Sequence, residues 1–472
     1  MAPTYIENGR TTSFYWPSSA TFAGFLVTLI VLLFGCSSES LNNTRDHRDQ
    51  VVFWHFWGGQ DRPIVEAIVR RFNASQDRYA VRAIALPGSN LDLKFFLSVA
   101  GGDPPDLLNH DDPVVADWAH RGVLTPLDEL TAELDTKEEQ ERLNEWLFPA
   151  ARQLGTYDQR LYALCNGLDI RALYCNKTLL DQHGLALPKT VADLDRIAET
   201  IAPADAPIGR QRMGYLPSPQ RIWAWGIVFG GSFADLQAKD PSEQILADSP
   251  EIVTALNWMA GYSRRYGPSE VAAFRSGEQA LTGTAFPLLA NRRYAVVMDG
   301  QWRVRDIAAA HAAATERGEP HDIFAVTPLP FPAEGRQDAG RVNGNFFVVP
   351  RQAVQKQGAW EFMKFWIGFD GHAAEAAKAC ADGGWIPVSQ TVVDQPAYQR
   401  VLLQQPLLKE FVRLAASPNQ VPVPPLPVAS LYYQEVVQAA QTVLYRGEDP
   451  QVALRRAADQ VRARLAELSN DR

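Results

Sequence analysis

The order of apolar and polar positions predicts strands and helices that alternate along the chain. Residues 51–54 form a short apolar run that is typical of a buried strand. Asp61 is a candidate helix N-cap, with Pro63 in the first turn and apolar residues recurring on one helical face after it. Residues 79–86 predict the next strand, and residues 91–99 predict the next helix. This alternation is typical of an α/β domain with a largely parallel sheet.

Later segments repeat the same pattern. Residues 295–298 and 346–349 predict strands, and each lies beside Gly, Asn, Gln or Trp. A packing helix is predicted to open at residues 449–450, with an apolar face formed by Leu454, Ala457, Val461, Leu465 and Leu468. In open α/β sheets, ligands bind beyond the carboxyl ends of the strands. The first such end is the segment 55–59, HFWGG, where we therefore expect binding residues.

An apolar run at residues 22–34 is followed by Gly35, Cys36 and two serines. This is the form of a bacterial lipoprotein signal, in which Cys36 is lipidated and becomes the new N-terminus. The run is shorter than the roughly 20 residues that span a bilayer. An uncleaved N-terminal anchor is the alternative, and both interpretations place the folded part in the periplasm or at the cell surface. Residues 1–36 are the predicted signal and residues 37–48 a polar tether.

Composition excludes several classes of function. A chain of 472 residues is too long for one core, so two or more lobes are expected. A net charge of -9 argues against nucleic acid as a partner. No Cys/His spacing suits zinc, and we expect neither a metal nor another cofactor. Besides Cys36, three cysteines allow at most one disulfide, and Cys165 with Cys175 is the candidate pair.

Several short motifs follow one another from about residue 50 to the C-terminus. They are VVFWHFWGG, GGDPPDLL, LYALCNGLDIRALYCNKTLLDQHGLALPKT, WAWGIVFGGSF, FRSGEQAL, YAVVMDGQW, VNGNFFVVP and GGWIPVS. With these motifs in this order, the chain resembles the extracellular sugar-binding proteins of ABC importers, the large family that includes the maltose-binding protein. The most specific motif is RALYCNK before a Gly-Leu-x-x-Pro turn, although Cys175 stands where the family usually has a tyrosine.

The resemblance implies an α/β, two-lobed periplasmic-binding-protein fold with crossing hinge strands and a central ligand cleft. Lobe one would comprise residues 49–165 with 323–368, and lobe two residues 170–322 with 372–472. The implied partners are a small carbohydrate, the transmembrane permease subunits of an ABC transporter and, through the lipid, a membrane. The protein itself is expected to be a monomer.

A carbohydrate offers flat C–H patches on which aromatic rings stack, and hydroxyls that polar groups bind. The segments that the resemblance assigns to the cleft are rich in both kinds of residue. The predicted ligand contacts are His55, Trp57, His110, Asp111, Asp169, Arg171, Trp223, Trp225, Gly300, Gln301, Trp302, Gly344, Asn345 and Trp385.

Each predicted contact has a structural alternative. Trp302 and Trp385 are the preferred stacking anchors, because the matching family segments commonly line the cleft. Trp223 and Trp225 are not separated by the sequence, since their spacing fits one face of a strand while the local pattern also fits a helix start. Arg171 either contacts ligand or pairs with a hinge carboxylate.

The polar cluster at residues 109–112 could be taken for a metal or acid–base site, but no second ligand group lies at a suitable spacing. We interpret His110 or Asp111 as a hydroxyl contact at the cleft edge. Gly344 and Asn345 would let the backbone approach the ligand closely.

The leading hypothesis is a non-catalytic protein that captures a sugar or oligosaccharide and delivers it to a permease, with closure of two lobes around the ligand. A binding protein for glycerol phosphate or another polyol phosphate is the alternative, with Arg62, Arg171 and Arg221 as candidate phosphate contacts. A surface glycoside hydrolase is a remote alternative, since no motif pairs two carboxylates across a bond.

Overall fold

The computed structural model describes residues 47–111, 114–130, 136–202, 212–279 and 292–470. All the elements given below belong to one compact unit, Arg48–Arg472. Cys36 and most of the predicted tether lie outside the described residues. Within the described ranges, no helix combines the length and the apolar character that a membrane span requires.

Twelve strands are present in the described ranges. In chain order they are β1 Asp49–His55, β2 Tyr79–Ala85, β3 Leu107–Asp111, β4 Thr156–Tyr157, β5 Arg160–Leu161, β6 Ala163–Asp169, β7 Arg171–Asn176, β8 Val296–Gly300, β9 Phe324–Thr327, β10 Gly340–Arg341, β11 Asn343–Val348 and β12 Gln420–Val421.

Helices fill most of the remaining chain. They are α1 Arg62–Ser75, α2 Leu91–Ala100, α3 Val115–His120, α4 Thr136–Trp146, α5 Pro149–Gly155, α6 Lys177–Gln182, α7 Val191–Ile201, α8 Ile222–Val228, α9 Pro250–Tyr266, α10 Pro268–Gln279, α11 Arg303–Glu316, α12 Lys356–Ile367, α13 Ala373–Gly383, α14 Gln390–Val393, α15 Pro396–Gln404, α16 Leu408–Ala415, α17 Ala429–Arg446 and α18 Pro450–Asn470.

The strands form two main sheets. A five-stranded sheet has the order β2-β1-β3-β11-β6, with β1 parallel to β2 and β3, and β11 antiparallel to β3 and β6. A three-stranded sheet has the order β8-β7-β9, and both pairings are antiparallel. The predicted strands at 51–54, 79–86, 295–298 and 346–349 are confirmed, with ends shifted by at most three residues.

The predicted first helix is confirmed, but its start is built differently from the expectation. Pro63 lies in the first turn, whereas the side chain of the N-cap residue Asp61 makes no capping hydrogen bond. The Asp61 carboxylate instead accepts a hydrogen bond from Arg305 at 3.1 Å. Val65, Ile68, Val69 and Phe72 bury the apolar face of the helix.

Two hydrophobic cores divide the unit. The first is built around the five-stranded sheet with α1, α2, α5 and α12–α16. The second is built around β7 and β8 with α7–α9, α17 and α18. The protein is therefore a two-lobed α/β protein.

Two placements differ from the lobe boundaries given above. Strand β9 pairs with β7, so Phe324–Thr327 is part of the three-stranded sheet, which lies outside the sheet of lobe one, although Phe324 and Val326 pack against the first core. Residues from Ala376 to Ala415 pack in the first core, whereas the resemblance placed them in lobe two. The apolar face of a helix does not show which lobe the helix joins, so the sequence pattern could not correct the expected placement of α13–α16 in lobe two.

The first passage of the chain from the five-stranded sheet to the three-stranded sheet takes a single residue. Strand β6 ends at Asp169 and β7 begins at Arg171, so Ile170 is the only residue between them. Cys165 and Cys175 consequently lie in different sheets, opposite Phe346 and Val296 respectively. Both thiols are free and buried, as is Cys380, so the proposed disulfide does not form here. Burial raises the pKa of all three thiols, to about 12 for Cys175 and Cys380.

Candidate functional site

The carboxyl ends of β1, β3 and β6 meet the start of β11 along one edge of the five-stranded sheet. Asn343 and Asn345 lie opposite Asp169 and Asp111 respectively, and His55 ends β1 on the far side of β3. The crossing at Ile170 brings this edge against the start of β7 and the end of β8. Seven residues here, which we call the crossing site, are Asp169, Arg171, Asp299, Gln301, Trp302, Arg341 and Asn343.

Gln301 holds the crossing together. Its Nε2 donates to the carbonyl of Leu168 at 3.1 Å and to Asp169 Oδ1 at 2.9 Å, and its Oε1 accepts from the Ile170 amide at 3.2 Å. Asn343 Nδ2 donates to the other oxygen of Asp169 at 3.3 Å. The predicted contact Gln301 is buried, and both of its amide N–H donors are used in joining the lobes.

Arg171 lies over Trp302. Its guanidinium carbon is 4.4 Å from the ring centroid, within the range of a cation–π interaction. Trp302 also packs against Gly300, since a Cβ added there would lie 2.3 Å from the ring. Gly300 therefore makes room for the Trp302 ring, and the guanidinium covers part of the ring face that stacking on a sugar would need.

Two further arginines lie close to Arg171. Arg341 is buried, and its guanidinium carbon is 4.6 Å from the ring centroid of Tyr433. Arg221 lies 3.8 Å from Asp299, which also pairs with Arg303 at 2.9 Å. Burial, reinforced by the charge of Arg221, lowers the pKa of Arg171 to about 10.

Trp57 and Trp385 belong to an aromatic stack at the first lobe. Trp57 stacks on Trp366 with centroids 5.5 Å apart and on Trp385 at 5.8 Å, and Trp366 stacks on Trp385 at 5.9 Å. Trp57 and Trp366 are buried, whereas Trp385 stays partly exposed. Of these three rings, Trp385 is therefore the one that offers most surface to a ligand.

His55 is buried beside this stack. Its ring centroid lies 5.8 Å from that of Trp57, and its Nδ1 has no hydrogen-bond partner among the described residues. Burial lowers the pKa of His55 to about 4; the nearby charge of Arg62 lowers it too, while Glu66 acts in the opposite direction. The imidazole is thus neutral near pH 7.

This shift predicts a loss of stability in mild acid. The unfolded chain binds the proton at a pKa of about 6.5 and the folded protein only near 4, so the free energy of unfolding falls as the pH drops below 6.5. The expected loss is about 2 kcal/mol at pH 5 relative to pH 7. Urea unfolding of His55→Phe at both pH values should show a smaller loss by about that amount. His183→Gln, at an exposed position, is the matched control and should keep the wild-type dependence.

The structure describes the side chain of His110 but only the backbone of Asp111. His110 is buried, and its Nε2 pairs with the carboxylate of Asp92 from α2. This hydrogen bond lowers the pKa of Asp92. The backbone of Asp111 pairs with Asn345 at the sheet edge. His110 is thus held within the first lobe, and Asp111 remains a predicted contact.

Three other predicted contacts have packing roles. Trp223 and Trp225 lie on α8 and are fully buried in the second core, so their rings have no free face for a ligand here. Gly344 packs on β6, since an added Cβ would lie 2.3 Å from Cys165 Sγ and 2.5 Å from the Gly167 carbonyl oxygen. Gly344 is therefore explained by close strand packing, and we keep none of these three as proposed contacts.

The larger cavities lie elsewhere. Cavities of about 430 and 780 Å³ both open between the lobes and share Thr156, Leu236 and Pro425 in their linings, and neither is lined by a predicted contact. A cavity of about 150 Å³ borders the crossing site and is lined partly by Arg221 and Asp299. We place the candidate site at the crossing, because buried charges and amides from both lobes converge there.

The family profile described as bacterial extracellular solute-binding protein matches residues 67–404. The chain belongs to this family. For an extracellular solute-binding protein, a polar site at the junction of two lobes is where a solute would be enclosed as the lobes close.

Solved structures with the same fold span almost the whole chain. MalE, a sugar-binding protein from the phytopathogen Xanthomonas citri, is 18% identical, with 89% of this chain and 98% of that chain covered and a TM-score of 0.71. CpMnBP1 with mannotriose bound is 23% identical, with 88% and 100% covered and a TM-score of 0.69. The GacH receptor of Streptomyces glaucescens is 19% identical, with 89% and 99% covered and a TM-score of 0.67. At these identities the likeness shows the shared fold of this solute-binding protein.

The sequence missed three residues of the crossing site. Asn343, Asp299 and Arg341 were not predicted as contacts, although Asp299 and Asn343 lie inside the motifs YAVVMDGQW and VNGNFFVVP and Arg341 directly precedes the second. The signal available was their position: Arg341 ends β10 and Asn343 begins β11, on either side of Val342, and Asp299 precedes Gly300. Tyr433, whose ring lies under the Arg341 guanidinium, is on α17, and the sequence pattern of that helix does not indicate a contact with the crossing site.

Proposed function

We propose that this solute-binding protein is non-catalytic, and that it captures a sugar or oligosaccharide at the crossing site and delivers it to the permease of an ABC transporter. The observation that carries the proposal is the crossing itself. One residue, Ile170, separates the two sheets, and Asp169, Gln301 and Asn343 surround it with hydrogen-bonding groups. Lobes joined in this way can close on a ligand that binds the closed form more tightly.

The polar and aromatic character of the site supports a saccharide. Trp302 and Trp385 are the two predicted anchors whose rings remain partly exposed. Carboxylate, amide and guanidinium groups at the crossing supply both acceptors and donors for hydroxyls. The related protein CpMnBP1 has been solved with mannotriose and with mannobiose bound, which agrees with this class of ligand.

Ligand binding and closure can be tested together. Isothermal titration of purified protein with mono- and oligosaccharides should give saturable binding, and small-angle scattering should show a smaller radius of gyration with the ligand that binds. Incubation of the ligand followed by chromatography should recover it unchanged. Recovery of cleaved sugar would contradict the non-catalytic role, and a radius that stays the same at saturation would contradict closure.

We also propose that Cys36 anchors the protein to a membrane through lipid. The supporting features are the apolar run at residues 22–34, the small residues around Cys36 and membership of an extracellular family. Cys36→Ser should abolish incorporation of labelled fatty acid and leave the protein unprocessed or in the soluble fraction. Equal labelling of the two proteins would refute the lipoprotein interpretation.

A further inference from the structure

Arg171 has hydrogen-bonding atoms without partners at the crossing. Its Nε and Nη1 are buried, and neither has an acceptor among the described residues. Leaving buried donors of a charged group unsatisfied is unfavourable, and the stack on Trp302 does not satisfy them. These atoms therefore need an acceptor that the described residues do not supply.

The charges around Arg171 leave the site positive. Arg221 and Arg341 are both close enough to disfavour its charge, while Asp169 and Asp299 favour it. Asp299 is already shared between Arg221 and Arg303, and Asp169 accepts from Gln301 and Asn343. Four guanidinium groups, those of Arg171, Arg221, Arg303 and Arg341, thus lie near three carboxylates, those of Asp169, Asp299 and Asp306, in a protein whose net charge is -9.

Two of these guanidinium groups, those of Arg171 and Arg341, are also held in place before any ligand arrives. Arg171 lies on Trp302 and Arg341 on Tyr433, which itself stacks on the buried Trp223 at 5.9 Å between centroids. A planar, fixed guanidinium matches a carboxylate through two parallel hydrogen bonds, a fit that a single hydroxyl cannot reproduce. Fixed donors also bind with a smaller loss of side-chain freedom.

We propose that the saccharide taken by this site carries a carboxylate, as a uronic acid residue does, and that Arg171 binds the carboxylate with Arg221 and Arg341 beside it. This inference rests on the proposed function and assigns the charge class of the ligand. In this arrangement, the main role of Trp302 is to support the Arg171 guanidinium. The sugar ring lies against the exposed parts of the Trp302 and Trp385 rings.

Matched sugar pairs test the inference on the unaltered protein. Titrations would use trimannuronate with mannotriose, and trigalacturonate with 1,4-linked galactotriose. We expect at least one uronate to bind tenfold or more tighter than its neutral partner, with an affinity that falls as salt is raised. Neutral partners that bind as tightly as the uronates would overturn the inference and leave the proposed function standing. If no member of either pair binds while another neutral saccharide does, the inference alone fails; if no saccharide binds, the proposed function fails together with it.

Variants then assign the role to Arg171. Arg171→Met should weaken uronate binding by roughly 30-fold or more, as for removal of one partner of a buried charge pair, and should change neutral-sugar binding less than threefold. Arg171→Lys keeps the charge without the planar fork and should lose an intermediate amount. Arg317→Met, at an exposed arginine paired with Glu319, is the control and should bind as wild type. Equal loss for both sugars, or tighter binding of glycerol 3-phosphate than of the uronates, would exclude the carboxylate assignment.

Discussion

Trp385→Ala is expected to lower the free energy of unfolding of the ligand-free protein by about 3 kcal/mol, at the lower end for a Trp→Ala change because the ring is partly exposed. Trp385 closes a stack with Trp57 and Trp366, and removing it would leave a void against two buried rings. Urea unfolding without ligand measures this loss. Trp385→Phe, which keeps an aromatic ring in the stack, should lose less than half as much.

Trp302→Ala should give the opposite balance. The ring supports Arg171 and is not part of either core, so we expect a stability loss of about 1 kcal/mol and a drop in affinity of roughly five- to 150-fold, equivalent to about 1–3 kcal/mol. Titration and unfolding of both variants separate the two roles. Unchanged affinity in Trp302→Ala would refute its place in the binding site, and a wild-type unfolding curve for Trp385→Ala would refute the packing of the stack.

Gly344→Ala is expected to destabilise the protein by about 3 kcal/mol, at the upper end of the usual range for overpacking. The added methyl group would lie 2.3 Å from Cys165 Sγ and 2.5 Å from the Gly167 carbonyl oxygen. Strands β6 and β11 would have to separate next to the crossing, so ligand affinity should fall as well. Chemical unfolding and titration measure the two effects.

A second substitution at Cys165 tests the cause. Cys165→Ala removes the thiol from the contact and should recover part, but not all, of the lost stability, because the Gly167 carbonyl remains. Gly277→Ala is the matched control: it lies in α10 with no atom within 4 Å of the added Cβ, and should be neutral or slightly stabilising. Wild-type stability in Gly344→Ala would mean that β6 and β11 can move apart without loss of stability, and would contradict the packing role of Gly344.

Local pattern was enough to predict β1 and α1 of the first lobe. The apolar run at residues 51–54 and the helical face after Pro63 both produced the predicted structures, because in each case burial on one face decides the conformation. Pattern was not enough for α13–α16. Their apolar faces fit either core, and only the packing of Ala376 to Ala415 against the first sheet decides between them.

The candidate site was predicted in part. Asp169, Arg171, Gln301 and Trp302 were all named from the sequence, and the crossing brings them together. What could not be predicted is the use that each side chain finds. The Gln301 amide hydrogen-bonds to the hinge backbone and to Asp169, since β6 and β7 are separated by a single residue whose amide needs an acceptor. That the Ile170 amide lacks a partner within either sheet becomes visible only once β6 and β7 are assigned to different sheets.

The buried state of the native thiols has a practical consequence for labelling. Cys165, Cys175 and Cys380 are enclosed, and each has a pKa raised by burial, so thiol-directed dyes should react with none of them in the folded protein. A single cysteine introduced at the exposed Leu236, which lines both cavities between the lobes, would then be the one reactive thiol of the described residues. A dye attached there would report movement of the lobes as a change in fluorescence, with every native cysteine left in place.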